Sequence, residues 1–251
     1  MLSVVIITKN EARNIRRCLS SVRWADELIV LDSGSTDNTC AIAREFTDKV
    51  FSSDWQGYGI QKQRALAYAS HDWVLNLDAD EVVSEQLQHE IKTALKNVHV
   101  DAYRVPIRMY FDNKPLRFSS SPKRHIRLFK RDSAYFSGDI VHEKIILPDS
   151  ARINRLKTPL EHHSFYDLHH VLYKINRYSS YSAKIRILEK KESSFIKTLA
   201  STGWMFFRCY FLQLGFMDGK LGFLFAVINA QGSFFRGMKQ LYPDEQSVDL
   251  I

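Results

Sequence analysis

Cysteine is scarce in this chain, and proline and glycine are thin. The 251 residues include 3 cysteines, Cys18, Cys40 and Cys209. They are too few and too scattered for a disulfide framework or a zinc site, so a reducing compartment fits best. With 6 prolines and 10 glycines, no low-complexity tract or flexible linker stands out, and no internal repeat is visible. The opening MLSVVIITKNEARN reaches a charge at Lys9 without a basic n-region or a small-residue cleavage site, so no signal peptide is expected. Long apolar runs are missing as well. In the aromatic segment 195–242 the longest charge-free run is Leu221–Phe235, 15 residues, short of the roughly 18–20 that span a bilayer. What is present is 45% hydrophobic and 25% charged residues, which excludes a disordered or fibrous chain. The length suffices for one large domain, or one domain with a sizeable appendage, and for a core without covalent staples.

Charge of either sign is unevenly placed. Residues 1–100 hold 11 Lys and Arg against 14 Asp and Glu, a net of −3. Residues 101–251 hold 24 against 14, a net of +10. The second part therefore suits an anionic partner: nucleic acid, a phosphorylated sugar or anionic lipid. A solvated basic surface explains the composition equally well.

The first 80 residues alternate between short apolar runs and helical patterns. Leu2–Thr8, continuous and β-branched, reads as a buried parallel strand. Asn14, Ile15, Cys18, Leu19 and Val22 follow at helical spacing. Leu28–Leu31 predicts a second strand, and a helix is expected through Ala43 and Phe46. Lys49–Phe51 is a weak third strand, Gln61 to Ala69 a helix and Trp73–Leu77 a fourth strand. This alternation marks an open α/β sheet, whose ligands bind beyond the carboxyl ends of its strands. Polar clusters sit at those ends: Thr8–Glu11, Asp32–Asp37 and Asp78–Glu81. Further on, Ala102–Met109 and Ile126–Lys130 read as strands, and a Tyr- and Lys-rich helix is expected from about Asp167 to Glu192. Residues 195–242 carry 12 of the 31 aromatics in 48 positions, with five basic residues against Asp218. That composition suits helices lying in a membrane interface; a cap on the core or a dimer contact is the alternative.

The strongest chemical signal is Leu77-Asp78-Ala79-Asp80-Glu81, an apolar strand delivering Asp-x-Asp at its end. Two carboxylates on a turning backbone can converge on magnesium or manganese, hard cations that bridge to a substrate diphosphate and make a nucleoside diphosphate a competent leaving group. The second signal is Asp32-Ser-Gly-Ser-Thr-Asp37. Here Asp32 can accept hydrogen bonds from a base N–H or ribose hydroxyls, Gly34 permits a tight backbone, and Thr36 or Asp37 can cap the next helix. The third, Thr8-Lys9-Asn10-Glu11, is by itself as consistent with ordinary capping as with binding.

Taken together, TKNEARNI at 8–15, DELIVLDSGSTDNT at 26–39 and NLDADE at 76–81 resemble the family 2 glycosyltransferases in order and spacing. The resemblance is closer still to the lipopolysaccharide-core β-1,4-glucosyltransferase subgroup, through WQGYGIQKQRALAYA at 55–69, RLFKR at 127–131, VHE at 141–143 and LGFMDGKLG at 214–222. Gln63 stands where that subgroup often has Asn. The resemblance implies a GT-A nucleotide-sugar-binding fold over 1–166, with a nucleotide-sugar part (1–100) and an acceptor part (101–166). A helical, aromatic-rich C-terminal region (167–251) would follow, of a composition that suits a membrane interface.

It also implies a metal-dependent, inverting transfer of a hexose, glucose from UDP-glucose, to an inner-core heptose of a lipid-A-linked acceptor. The enzyme would be cytoplasmic, peripheral to the inner membrane and without nucleic acid, with a homo-oligomer left open. On the same resemblance Thr8, Asn10, Glu11, Asp32 and Gly34 form the uridine and ribose site. Lys62 approaches the base or diphosphate, Asp78 meets ribose and metal, and Asp80 meets the metal directly. Inversion needs a general base on the acceptor side; Asp139 and Glu143 in GDIVHEK are the candidates, with Glu143 favoured because VHE is the resembling part. His142 would orient a neighbour or contact the acceptor. Arg124 and Arg127 are candidates for the donor diphosphate or acceptor phosphates. Glu161-His162-His163 offers a metal-side imidazole or a phosphate contact, although adjacent histidines are more often structural. Alternatives are another acceptor, such as polyprenyl phosphate or a capsule glycan, and a non-catalytic nucleotide- or nucleic-acid-binding protein.

Overall fold

The computed structural model describes residues 1–119, 124–137 and 144–243. The chain divides into two compact units. One is Met1–Arg108 with Lys123–His163; the other is Met109–Pro122 with Ser164–Ile251. The sequence division at residue 166 lies close to the second boundary, but the segment 109–122 groups with the C-terminal helices.

The first unit is built on β1 (Leu2–Thr8), α1 (Ile15–Ser21), β2 (Glu27–Asp32), α2 (Thr39–Arg44), β3 (Val50–Ser52), α3 (Tyr58–Ala67), β4 (Trp73–Asp78), β5 (Glu81–Val82) and α4 (Glu85–Ala94). It continues through β6 (Ala102–Phe111), β7 (Lys114–Pro115), β8 (Arg124–Lys130), β9 (Tyr135–Phe136), β10 (Ile145–Ile146), β11 (Ile153–Arg155) and β12 (Leu160–Phe165), of which β7 and the ends of β6 and β12 fall in the second unit. The sheet order is β3-β2-β1-β4-β8-β6-β12-β5. β1 pairs in parallel with both β2 and β4, while β8 runs antiparallel to β4 and to β6. The chain thus winds outward from β1 through β2 and β3, then returns to lay β4 on the other side of β1. That reversal is a topological switch point, where the crossovers part and leave a crevice at the strands' carboxyl ends.

All seven residues of β1 are buried, as are all six of β2, which is why both read as unbroken apolar runs rather than as alternation. Val4 and Ile6 of β1 join Ile15, Leu19, Leu87 and Ile91 in the core beneath α1 and α4. Val5 and Ile7 join Ala65 and Leu66 of α3 on the opposite face. The first turn of α4 is fixed by Ser84, whose hydroxyl accepts the Leu87 N–H at 3.3 Å. This helix and the short strands β5 and β12 are absent from the sequence reading. The helix expected after residue 37 starts at Thr39 with no cap from the Asn38 side chain; the Asp37 carboxylate accepts the Thr39 N–H at 3.0 Å, as expected of a cap, and the Ala12 N–H at 3.1 Å, which ties two strand-end loops together.

The second unit holds α5 (Leu168–Leu188), α6 (Phe195–Phe207), a π-turn at Arg208–Leu212, a 3-10 turn at Gly215–Asp218 and α7 (Gly219–Leu241). Leu116, Val171, Phe225 and Ile228 form its core, with Phe111 and Phe165 packed against it. Asp218 accepts the N–H groups of Arg117, Phe118 and Ser119 at 3.1, 2.9 and 2.8 Å and the Ser119 hydroxyl at 2.6 Å, so one carboxylate clamps the hairpin segment to the start of α7. Ser201 and Ser233 lie 3.3 Å apart across α6 and α7. The two backbones approach so closely there that a Cβ on Gly237 would sit 2.4 Å from the Thr198 hydroxyl. Among the described residues no single helix is long and apolar enough to cross a membrane. The pair Phe195–Leu212 and Gly215–Leu241, bent by 68°, passes by length and composition together.

Candidate active site

β4 ends at Asp78, and β5 begins at Glu81 three residues later. Between them the backbone turns, and Asp80 is held by two bonds from β12. The His163 N–H donates to the Asp80 carbonyl at 2.9 Å, and His162 Nε2 lies 3.1 Å from Asp80 Oδ1. The β5–β12 register, His162 opposite Glu81, is what brings this imidazole to the acidic turn. Burial opposes a charged His162, but Asp80 outweighs it, with smaller help from Glu81 and Asp78, and raises its pKa to about 9.

Asp78 is surrounded differently. Lys62 Nζ lies 2.9 Å from its Oδ1 and Arg127 Nη2 lies 2.9 Å from its Oδ2. Both cations are almost fully buried, and the carboxylate is 30% exposed. Burial works against its charge, yet Lys62 first and then Arg127 hold Asp78 well below the usual carboxylate range. Arg127 also reaches Glu81 at 2.5 Å, and Glu81 accepts the Asp78 N–H at 2.9 Å. Glu81 is fully buried; burial pushes its pKa up to about 7, Arg127 opposing and Asp78 adding to the rise. The acidic turn is thus a network of three carboxylates, two inserted cations and an imidazole. Partly satisfied buried charge is costly, so each cation here has a structural role besides any contact with a ligand.

The ends of β1 and β2 complete the crevice. Thr8 and Asp32 are register partners and both are buried. The Asp32 carboxylate accepts the N–H groups of Gly34 and Ser35 at 2.9 and 2.8 Å and the Ser35 hydroxyl at 2.5 Å. Gly34 has φ +83°, a conformation that glycine adopts without strain. Asn10 locks the same loop: its N–H donates to Ser35 Oγ and its Oδ1 accepts the Thr36 N–H, both at 2.8 Å. Glu11 donates its N–H to Thr39 at 2.8 Å and accepts the Asn14 side-chain amide at 2.8 Å. The Thr8 hydroxyl is buried without a hydrogen-bond partner, although buried polar atoms are normally paired.

The structure places Thr8, Asp32 and Asp78 at the last positions of β1, β2 and β4, Asn10, Glu11, Gly34 and Asp80 on the loops that follow, and Lys62 on α3. Arg127 joins them from β8, pointing inward as a buried partner of Asp78 and Glu81. Arg124, near the start of the same strand, is exposed. Gln63 uses its side-chain oxygen to accept the Phe136 N–H at 2.8 Å. Asp139, His142 and Glu143 lie outside the described residues. Glu81, which holds Arg127 and the Asp78 N–H, was not among the candidate residues; its position directly after Asp-x-Asp was the available signal.

A mixed sheet with a parallel core and a switch point, with an unpartnered hydroxyl and a carboxylate-rich turn at its strand ends, defines the class as α/β. The family model for glycosyl transferase family 2 matches residues 3–156. The chain belongs to this family: it is a glycosyltransferase with the GT-A nucleotide-sugar-binding fold and a helical, aromatic-rich C-terminal region. A glycosyltransferase of Rickettsia felis is 34% identical over 248 residues, covering 94% of this chain and 87% of the relative. The lipopolysaccharide core biosynthesis glycosyltransferase LpsC of Rhizobium meliloti is 29% identical over 250 residues, covering 95% and 91%. Among solved structures, S. aureus TarS in complex with UDP-GlcNAc is 18% identical, with a TM-score of 0.47 over 93% of this chain and 80% of that one.

Proposed function

We propose that this chain transfers a hexose, glucose from UDP-glucose, onto an inner-core heptose of a lipid-A-linked acceptor, with inversion at the sugar carbon, at the cytoplasmic face of the inner membrane. The observation that carries the catalytic part is the acidic turn itself: Asp80 and His162 side by side, next to an Asp78 already balanced by Lys62 and Arg127. The acceptor class rests on the likeness to LpsC, named for lipopolysaccharide core biosynthesis, and on the basic second part of the chain.

Asp80, whose Oδ1 lies 3.1 Å from His162 Nε2, is the carboxylate that would hold a hard divalent cation such as manganese; His162 would join it only after giving up the proton it shares with Asp80. When bound, such a cation neutralises the charge that develops on a departing nucleoside diphosphate. The remaining roles belong to the chain. Asp78 keeps Lys62 and Arg127 in place, and Lys62 stands where a diphosphate oxygen would meet its ammonium. Thr8 supplies its spare hydroxyl to the nucleoside, and the Asp32–Gly34–Ser35 turn, pinned by Asn10 and with Glu11 beside it, shapes the nucleoside end of the crevice. Glu143 is the base that takes the acceptor hydroxyl proton, with His142 beside it and Arg124 facing acceptor phosphates.

The test is a transfer assay with UDP-glucose, manganese and a core truncated to its inner heptoses. Product is expected from the wild type. Glu143→Gln is expected to bind UDP normally and to lose turnover. Loss on Asp139→Asn with activity retained in Glu143→Gln would move the base to Asp139. Activity only on polyprenyl phosphate would overturn the acceptor assignment.

A further inference from the structure

A second polar cavity lies in the helical unit, in a place the transfer reaction does not use. It has a volume of about 190 Å³ and is lined by Arg186 from α5, Lys197, Thr198 and Ser201 from α6, and Ser233 and Arg236 from α7. Thr198 and Ser233 are buried at 2% and 3% exposure. The Thr198 hydroxyl and Arg236 Nε are buried with no hydrogen-bond partner, while Arg236 Nη2 donates to Ser233 at 3.1 Å. Burial, and then the nearby Arg186, push the Arg236 guanidinium below its ordinary value. Glu192 also lines the cavity, but it lies 3.8 Å from Lys197 with both side chains largely exposed. Among the described residues neither arginine is in an ion pair. Two guanidiniums, an ammonium and several hydroxyls around one cavity form a donor set for a tetrahedral oxyanion. Two of those donor groups stay unsatisfied until one arrives. The N-terminus of α6, whose Ser194 caps the Lys197 N–H at 3.2 Å, adds its positive end on the same side.

The surroundings indicate where the oxyanion comes from. Starting beside Lys197, the residues Ile196, Leu199, Trp204, Phe207 and Phe211 are all exposed at helical spacing along one side of α6 and its continuation. No charge occurs between Lys197 and Arg208. An exposed apolar, aromatic stripe bordered by cations fits the boundary between headgroups and acyl chains. We propose that the Arg186–Lys197–Arg236 pocket binds the phosphate of an anionic lipid headgroup while the apolar side of α6 rests in the adjoining acyl region.

The test is co-sedimentation with vesicles of phosphatidylcholine alone and of equimolar phosphatidylcholine and phosphatidylglycerol. It uses the wild type, Arg236→Met, Arg186→Met and, as a cation outside the pocket, Lys220→Met. A parallel thermal-shift series uses inorganic phosphate. The wild type is expected to bind only the anionic vesicles. The two arginine variants should lose more than about tenfold; Lys220→Met should lose about the fivefold of any basic residue near an anionic surface. Arg236→Met should melt no lower than the wild type without ligand, since the one hydrogen bond to Ser233 that is lost is offset by removing a half-buried guanidinium whose Nε is unsatisfied. An equal loss in all three variants would overturn the pocket and leave general surface charge. Phosphate stabilisation that Arg236→Met abolishes, with vesicle binding unaffected, would overturn the lipid source. A protein that dimerises through α6 and ignores vesicles would do the same.

Discussion

Asp78 holds one buried cation on each of its oxygens, and Arg127 spends the same nitrogen on Asp78 and Glu81. Removing Arg127 would leave a fully buried Glu81 and half of Asp78 unpaired. Arg127→Met is therefore expected to lower stability by about 3–5 kcal/mol, read by chemical denaturation, and to reduce transfer in the folded fraction. A change within about 1 kcal/mol would show that the network relaxes without it. Asp78 and Asp80 stood out in the sequence because they follow a buried strand, and Lys62 only through the family resemblance. The inward turn of Arg127 was not. A basic residue on a strand shows its side of the sheet only once its partners are known, and those partners lie 46 and 49 residues away. The pairing of His162 with Asp80 was similarly out of reach. The imidazole was visible as a candidate, but the β5–β12 register that delivers it comes from two residues on β5.

At the scale of elements, the strands that proved easiest to read are the fully buried ones, where β-branched runs leave little ambiguity. Helix α4 escaped notice although Leu87, Ile91 and Ala94 repeat at helical spacing, and β12 was hidden by its polar sequence LEHHSF. The start of β2 carries its own test. Glu27 is buried and accepts bonds from Ser3, Lys49 and the Ser70 N–H and hydroxyl. Burial opposes its charge, but these partners lower its pKa from 4.5 to about 2. A depressed carboxylate stabilises the fold fully above its unfolded pKa and loses that contribution as pH falls through the folded value. Stability is therefore expected to drop between about pH 4.5 and 2. Glu27→Gln should be less stable at neutral pH by about 1.5–3 kcal/mol and should show a flatter acid profile. Denaturation curves at several pH values measure both; identical profiles would exclude Glu27 as the source. In the helical unit, Gly237→Ala would force a Cβ against Thr198 and is expected to cost about 1–3 kcal/mol, visible as a lowered melting temperature.

For the whole molecule, the charge asymmetry read from the sequence has a structural counterpart in the helical unit, where Arg186, Lys197 and Arg236 gather around one cavity. Composition pointed to an anionic partner there. The cavity itself depended on α5, α6 and α7 packing together, which no local pattern states. The grouping of residues 109–122 with those helices rests on the Asp218 clamp, a contact spanning about a hundred residues, and is equally non-local. The α/β half behaves differently: its class and its acidic turn follow from consecutive segments, whereas its strand order depends on the later strands β8, β6 and β12, which local patterns do not place.

The most direct test of the account is calorimetric titration of UDP into the wild type and into Asp80→Asn, each with and without manganese. The account predicts binding to the wild type that strengthens markedly with manganese, and binding to Asp80→Asn that manganese leaves unchanged. Equal UDP affinity with and without manganese in the wild type, or full manganese dependence in Asp80→Asn, would contradict the assignment of the acidic turn as the donor's metal site.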